Sequence, residues 1–182
     1  WLVESNLLLS NPTREIKWGR RPQYLPSHLL TPKEVEDILR QIDISTPFGL
    51  RDRAMLETLY STGIRRSELT RLKLEDVKLE RGVLFVCEGK GAKDRLIPIG
   101  DRAIEWVSRY LENVRPRLVK DPDERGLFLT YFGRPFKVET IGGRIAGHVR
   151  KVVPSGCCHI FRHAMATAML ENGADIRHLQ EI

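Results

Sequence analysis

The chain has 182 residues, 41% hydrophobic and 30% charged, with a formal net charge of +6 and an isoelectric point near 9.4. That length fits one well-cored domain with a short appendage, and neither a membrane-length apolar stretch nor a secretory leader pattern is present. The basic balance favours a polyanionic partner, and three cysteines, with Cys157 and Cys158 adjacent, give no disulfide framework and suit a reducing cytosol.

In chain order, residues 1–26 combine the apolar patch Leu7-Leu8-Leu9 with Asn11-Pro12 and a basic stretch from Arg14 to Arg21, then Pro22 and Pro26. This reads as a helix remnant feeding an extended linker. The chain opens on Trp1 rather than Met, which reads as an excised or processed piece. Thr31-Pro32-Lys33-Glu34 predicts a helix start with Thr31 as N-cap, Pro32 at the first helical position and Glu34 completing a capping box. A second helix is expected over about Leu50–Ser61, with Ala54, Met55, Leu56, Leu59 and Tyr60 on its apolar face and Gly63 as its stop. Arg65 falls just before a short helix near Ser67–Leu72.

The period then changes. Val83–Cys87 and Arg95–Ile99 are short runs rich in strand formers, separated by Gly89-Lys90-Gly91 and Lys93, and together they predict a β-hairpin with Lys90 at its turn. Helices are expected near 101–114 and 137–152, and a third strand near Leu127-Phe128-Leu129. The last strong helix is expected from about Cys158 to Asn172, with Gly173 as its stop and a new helix from about Ala174. On that last helix, Ile160, Phe161, Ala164, Met165 and Ala168 share one arc, and His159, Arg162 and His163 share the opposite one.

Taken singly, these basic residues have ordinary readings. The His159–His163 arc could be a solvated face, Arg65-Arg66 a charged helix start beside Glu68, and Lys90 a solvated hairpin tip. The loop is not a phosphate-binding P-loop, since it lacks Gly-x4-Gly-Lys-Ser/Thr and leads to a strand. A zinc site from Cys157, Cys158, His159 and His163 is disfavoured, because adjacent cysteines chelate one tetrahedral ion poorly and no spaced pair exists elsewhere. Taken together, two arginines, a lysine and a histidine suit gripping a phosphate, stabilising the added charge of its transition state and moving a proton, with no metal.

The joint pattern carries the most weight: Thr62-Gly63-Ile64-Arg65-Arg66-Ser67-Glu68-Leu69, then Gly89-Lys90-Gly91-Ala92-Lys93, then His159-Ile160-Phe161-Arg162-His163. In order and spacing it resembles the tyrosine recombinases, the phage-integrase and Xer family, over most of residues 27–182. The resemblance implies an α+β fold, a mostly helical catalytic domain with a small antiparallel β-sheet (hairpin about 83–99). It implies that residues 1–26 are the exit of a separate N-terminal DNA-binding domain. It implies site-specific cutting and rejoining of DNA through a 3′-phosphotyrosyl intermediate, without cofactor or metal. Arg65 and Arg162 would hold the scissile phosphate, Lys90 would protonate the leaving 5′ oxygen, and His159 would accept a proton and ligate the phosphate. His163 would orient its neighbours, Glu68 would buttress Arg65, and Lys93 and Arg95 would touch the DNA backbone. The implied partners are double-stranded DNA and other recombinase protomers in a tetrameric synapse, in the cytoplasm at the nucleoid.

The sequence departs from the family at its end. Its tyrosines are Tyr24, Tyr60, Tyr110 and Tyr131, and none follows Arg162, where the family nucleophile lies. The expectation is an active-site body truncated before its attacking group and inactive alone. A non-catalytic DNA-binding fragment and a type IB topoisomerase-like enzyme are the alternative readings.

Overall fold

The computed structural model describes residues 2–12, 29–87, 94–156, 159–175 and 177. Its centre is a helix buried nearly all round, Pro47–Thr62. The capping box ahead of it forms as the sequence predicts: Thr31 Oγ1 accepts from Glu34 N at 3.2 Å while Thr31 N donates to Glu34 at 2.8 Å. That box opens α1, Pro32–Arg40. The central helix is α2, N-capped by Thr46, whose Oγ1 accepts from Gly49 N at 3.0 Å. Gly63 ends it in the left-handed region, at φ 62°. Beyond the predicted apolar face, α2 also buries Arg51, Asp52, Arg53 and Glu57.

Burial of four ionised groups on one helix is tolerable only because each is paired. Asp52 takes Arg51 at 2.9 Å, Arg144 at 2.8 Å and His148 at 3.0 Å. Glu57 takes Arg53 and Arg102, each at 2.8 Å. The Arg51 guanidinium is also sandwiched between the rings of Phe48 and Phe136, 5.0 and 4.8 Å from their centroids, and donates to the Leu129 carbonyl at 2.9 Å. A periodicity argument counts such residues as solvent-facing, and for that reason it misses how central α2 is.

After the short α3, Arg66–Arg71, a 3-10 turn at Leu74–Asp76 leads into β1, Val77–Lys78. A second 3-10 turn, Leu79–Arg81, precedes β2, Val83–Val86, and β3 is Arg95–Pro98. The three strands form one antiparallel sheet in the order β1-β2-β3. Leu84 opposite Ile97 and Val86 opposite Arg95 make its inner face, and Leu96 points out at 65% exposure. The predicted hairpin is therefore present, but its turn, with Lys90 and Lys93, lies outside the described residues.

The third strand is Val77–Lys78, not Leu127–Leu129. The latter run is a buried irregular segment whose backbone finds partners singly. Leu127 N donates to the Leu72 carbonyl at 2.7 Å, and Leu129 N to the Tyr110 hydroxyl at 3.1 Å. A three-residue apolar run has the same pattern whether it is a strand or a buried loop.

The helices then follow near their expected places. They are α4 at Asp101–Asn113, α5 at Arg115–Leu118, α6 at Val138–Val149 and α7 at Ile160–Glu171. α4 and α7 pack on α2, and α6 packs on α3. Gly173, at φ 84°, ends α7. Residues 2–12 show turns rather than the expected helix, and the helix expected from about Ala174 falls largely outside the described residues. Among the described residues, no helix is long and apolar enough to cross a membrane.

Candidate active site

The site is assembled where the C-terminal end of α2 meets the first turns of α3 and α7. Gly63 turns the chain, Ile64 is buried at 2% exposure, and Arg65 follows in extended conformation as the residue that caps α3. Ile64 anchors the junction in the core, while the Arg65 side chain stays one-third exposed. Glu68, one turn on, receives the Arg65 backbone N–H at 2.7 Å and the Arg65 guanidinium at 2.9 Å. From the inner face of the sheet, Arg95 donates to the other side of the same carboxylate at 2.9 Å. Glu68 thus ties α3 to β3 and fixes two arginines at once.

Arg162 reaches the group from α7. Phe161, fully buried and edge-on to Tyr60 at 6.5 Å, docks the helix on α2. The next residue then carries its guanidinium to the Gly63 carbonyl, two residues before Arg65. The αL turn therefore ends a helix and also offers the carbonyl that registers Arg162 against Arg65. His159, at the start of α7, and His163, one turn on, stand on the exposed side. Arg66 lies against α6, where Gly142 leaves room for it: a Cβ there would come within 2.9 Å of its Nη1.

The electrostatics of the group are lopsided. Burial would push the Glu68 carboxyl up, but hydrogen bonds from Arg95 and from the Arg65 backbone and side chain hold it below its ordinary value. Arg162 is pulled below its ordinary value by burial and then by Arg65 and Arg95, against Glu68. His159 is lowered from 6.5, first by burial, then by Arg66, His163, Arg162 and Arg65. Several cationic groups thus converge on one carboxylate, and the Arg95 Nε is buried with no hydrogen-bond partner among the described residues. An arrangement of this kind suits a bound anion, and His159 beside it is an uncharged base at neutral pH.

Of the sequence-predicted residues, Arg65, Glu68, Arg95, His159, Arg162 and His163 come together here, while Lys90 and Lys93 lie outside the described residues. Arg95 is turned inward, its side chain 15% exposed. The alternation of β3, which puts Arg95 on the side of Ile97, was the available signal. The Gly63 carbonyl and Arg66 were not singled out by sequence. Among the described residues, no three His, Cys, Asp or Glu side chains gather as metal ligands, and Cys157 and Cys158 lie outside them.

The described tyrosines are elsewhere. Tyr110 is fully buried in the core and burial pushes it up to about 12, against the hydrogen bond from Leu129. Tyr60 lines a cleft with Glu36, Glu57 and Arg102. Tyr131 is exposed on the loop following Leu129.

The phage integrase family model matches residues 28–182. The chain is 47% identical over 184 residues to tyrosine recombinase XerC 2 of Ralstonia nicotianae, aligning all of this chain with 53% of that one. It is 36% identical over 188 residues to XerD of Lacticaseibacillus casei, covering 62% of it. The chain thus spans between half and two-thirds of the length of these relatives. Among solved structures, the XerA recombinase crystal structure superposes with a TM-score of 0.72 at 30% identity, over 85% of this chain and 55% of that one. The XerH recombinase bound to difH substrate, in a pre-cleavage complex, superposes with a TM-score of 0.70 at 26% identity, over 87% of this chain and 47% of that one. With the fold and the sequence in agreement, the chain belongs to the phage integrase family, the tyrosine recombinases.

Proposed function

We propose that residues 27–182 form the phosphate-binding body of a site-specific DNA recombinase, which cuts and rejoins duplex DNA through a 3′-phosphotyrosyl link. The observation that carries this reading is the convergence of Arg65, Arg95 and Arg162 around the single carboxylate Glu68, with His159 beside them. Arg65 and Arg162 donate to the non-bridging oxygens of the scissile phosphate, and their hold tightens as charge accumulates in the phosphorane. Glu68 and Arg95 position Arg65. His159, neutral at pH 7, takes a proton or ligates the phosphate, and His163 positions it. Lys90, on the β2–β3 turn, protonates the leaving 5′ oxygen. The attacking tyrosine is not one of Tyr60, Tyr110 or Tyr131. Partner protomers on DNA, as in the family at large, complete the assembly, and residues 1–26 lead in from a DNA-binding arm domain.

The test is covalent capture on a nicked suicide duplex, using the full-length gene product. A denaturant-resistant protein–DNA band is expected, and it should persist in a chelator because arginines take the place of a cation at the phosphate. Arg65→Ala or Arg162→Ala should slow its formation by about 10²–10³-fold or more. A band indifferent to both arginines would overturn the assignment, as would a link mapped to Tyr60, Tyr110 or Tyr131. DNA binding with no band under any condition would favour a binding-only role.

A further inference from the structure

We propose that Arg66, seated on α6 in the notch that Gly142 leaves, is a further positioning residue of the phosphate site and acts on the reaction through His159, a role that rests on the recombinase reading.

Arg66 is the first residue of α3 and is exposed, and Arg65 before it caps the helix. A cation at that position opposes the helix dipole, so the helix itself gives no reason for it. Its place is held from across the interface with α6. A Cβ on Gly142 would stand 2.9 Å from the Arg66 Nη1, 3.6 Å from its Cδ and 3.9 Å from its Cζ, so the guanidinium and the end of its stem lie against bare backbone. Gly143 and Gly147, on the same helix, would meet nothing within 4 Å. Glycine is a poor helix former, and of these three only Gly142 has a neighbour that needs the missing side chain.

This seat puts Arg66 at the mouth where α3 and α7 meet. Arg162 bonds the Gly63 carbonyl, three residues before Arg66, and His159 precedes Arg162 by one turn at the start of α7. The charges around the imidazole are one-sided. Burial comes first among the causes that hold His159 below its ordinary value; Arg66 is next, ahead of His163 and Arg162 on α7 and of Arg65. The nearby carboxylate that could offset them, Glu68, is committed to Arg65 and Arg95. On α6, Arg144 is committed to Asp52. Among the described residues no carboxylate pairs with Arg66, Glu139 in the first turn of α6 included. Arg65 and Arg162 have their use at the phosphate. Arg66 is held against α6 instead, and its uncompensated charge keeps the His159 imidazole unprotonated and ready to accept a proton.

The test pairs an NMR titration of the His159 ring in the 182-residue chain with the pH profile of covalent capture by the full-length gene product. Arg66→Gln should move the ring midpoint to higher pH, Arg66→Glu should move it further, and Arg66→Lys should keep it near that of the parent. The displacement should largely vanish in about 1 M salt, where exposed charges are screened within about 3 Å. Arg71→Gln removes the same charge from the other end of α3 and should leave the midpoint in place. In the capture assay the acid limb should follow the ring midpoint from variant to variant, while the rate on the alkaline plateau stays that of the parent. An unmoved midpoint in Arg66→Gln and Arg66→Glu overturns the proposal, as does a moved midpoint that the acid limb does not follow. Loss of capture at every pH overturns it too, because Arg66 would then hold the phosphate directly or hold up the fold. A parent that gives no band overturns the recombinase reading and the role with it. The ring titration needs no DNA, so it shows separately whether Arg66 governs His159.

Discussion

At the residue scale, His159 makes the sharpest prediction, because burial, three neighbouring arginines and His163 all act on it in one direction. Its folded-state value lies below 6.5, so the neutral form is the resting form at pH 7. The stability linked to that neutrality is present above about pH 6.5 and is lost as pH falls through the lower folded value. A bound phosphodiester adds negative charge beside the ring and reverses the shift. Duplex binding should therefore take up a proton in the window between the two values, and affinity should rise as pH falls through it. An NMR titration of the ring should place its midpoint below 6.5 in the free chain and higher with duplex, and His159→Gln should flatten the affinity profile. A free-chain midpoint at or above 6.5 would refute the electrostatic picture of the cluster. Glu68 has the matching behaviour on the acid side. It is held low by Arg95 and Arg65 against its burial, so its contribution is present above about pH 4.5 and is lost as pH falls below that. Urea unfolding at pH 7 and pH 3 should show a smaller acid-induced loss in Glu68→Gln than in the parent. The types and order of these residues were legible in the sequence, because a charge pattern survives without coordinates. The sharing of Glu68 by Arg65 and Arg95 was not, since it depends on a strand from a separate element packing beside α3.

At the scale of elements, the structure turns on the junction at Gly63. Caps and stops were readable because they are local: Thr31 and Glu34, Gly63 and Gly173 each act within one turn of chain. The misplaced third strand and the hidden charges of α2 were not, because both depend on distant partners such as Tyr110, Arg102 and Arg144. Gly63 links the two kinds of information. It closes α2 at φ 62°, and its carbonyl receives Arg162. Gly63→Ala should cost about 1–2 kcal/mol for placing a side chain in the left-handed region. If the turn also registers Arg162 against Arg65, duplex affinity should fall under conditions where the variant is still fully folded. Urea titration gives the first quantity and anisotropy the second. A variant that loses stability while binding as the parent does would reduce Gly63 to a helix stop and nothing more.

At the scale of the whole molecule, the net charge of +6 understates the field that a polyanion meets. Asp52, Glu57 and Glu68 are buried and committed to internal partners, so they serve to position arginines and do little to repel an approaching phosphate. Binding driven by such an array proceeds by counterion release, so affinity must fall with salt in proportion to the number of phosphates engaged. If the site engages about four phosphate charges of a duplex, those held by Arg65 and Arg162 among them, log K against log salt should have a slope of about −3.6. Between about 50 and 200 mM salt that is a loss on the order of 10²-fold. Removing Arg65 and Arg162 together should reduce the slope by about 1.8, because two contacts disappear. A duplex slope near zero, or one that the loss of both arginines leaves untouched, would mean that the basic cluster is not where this protein meets DNA.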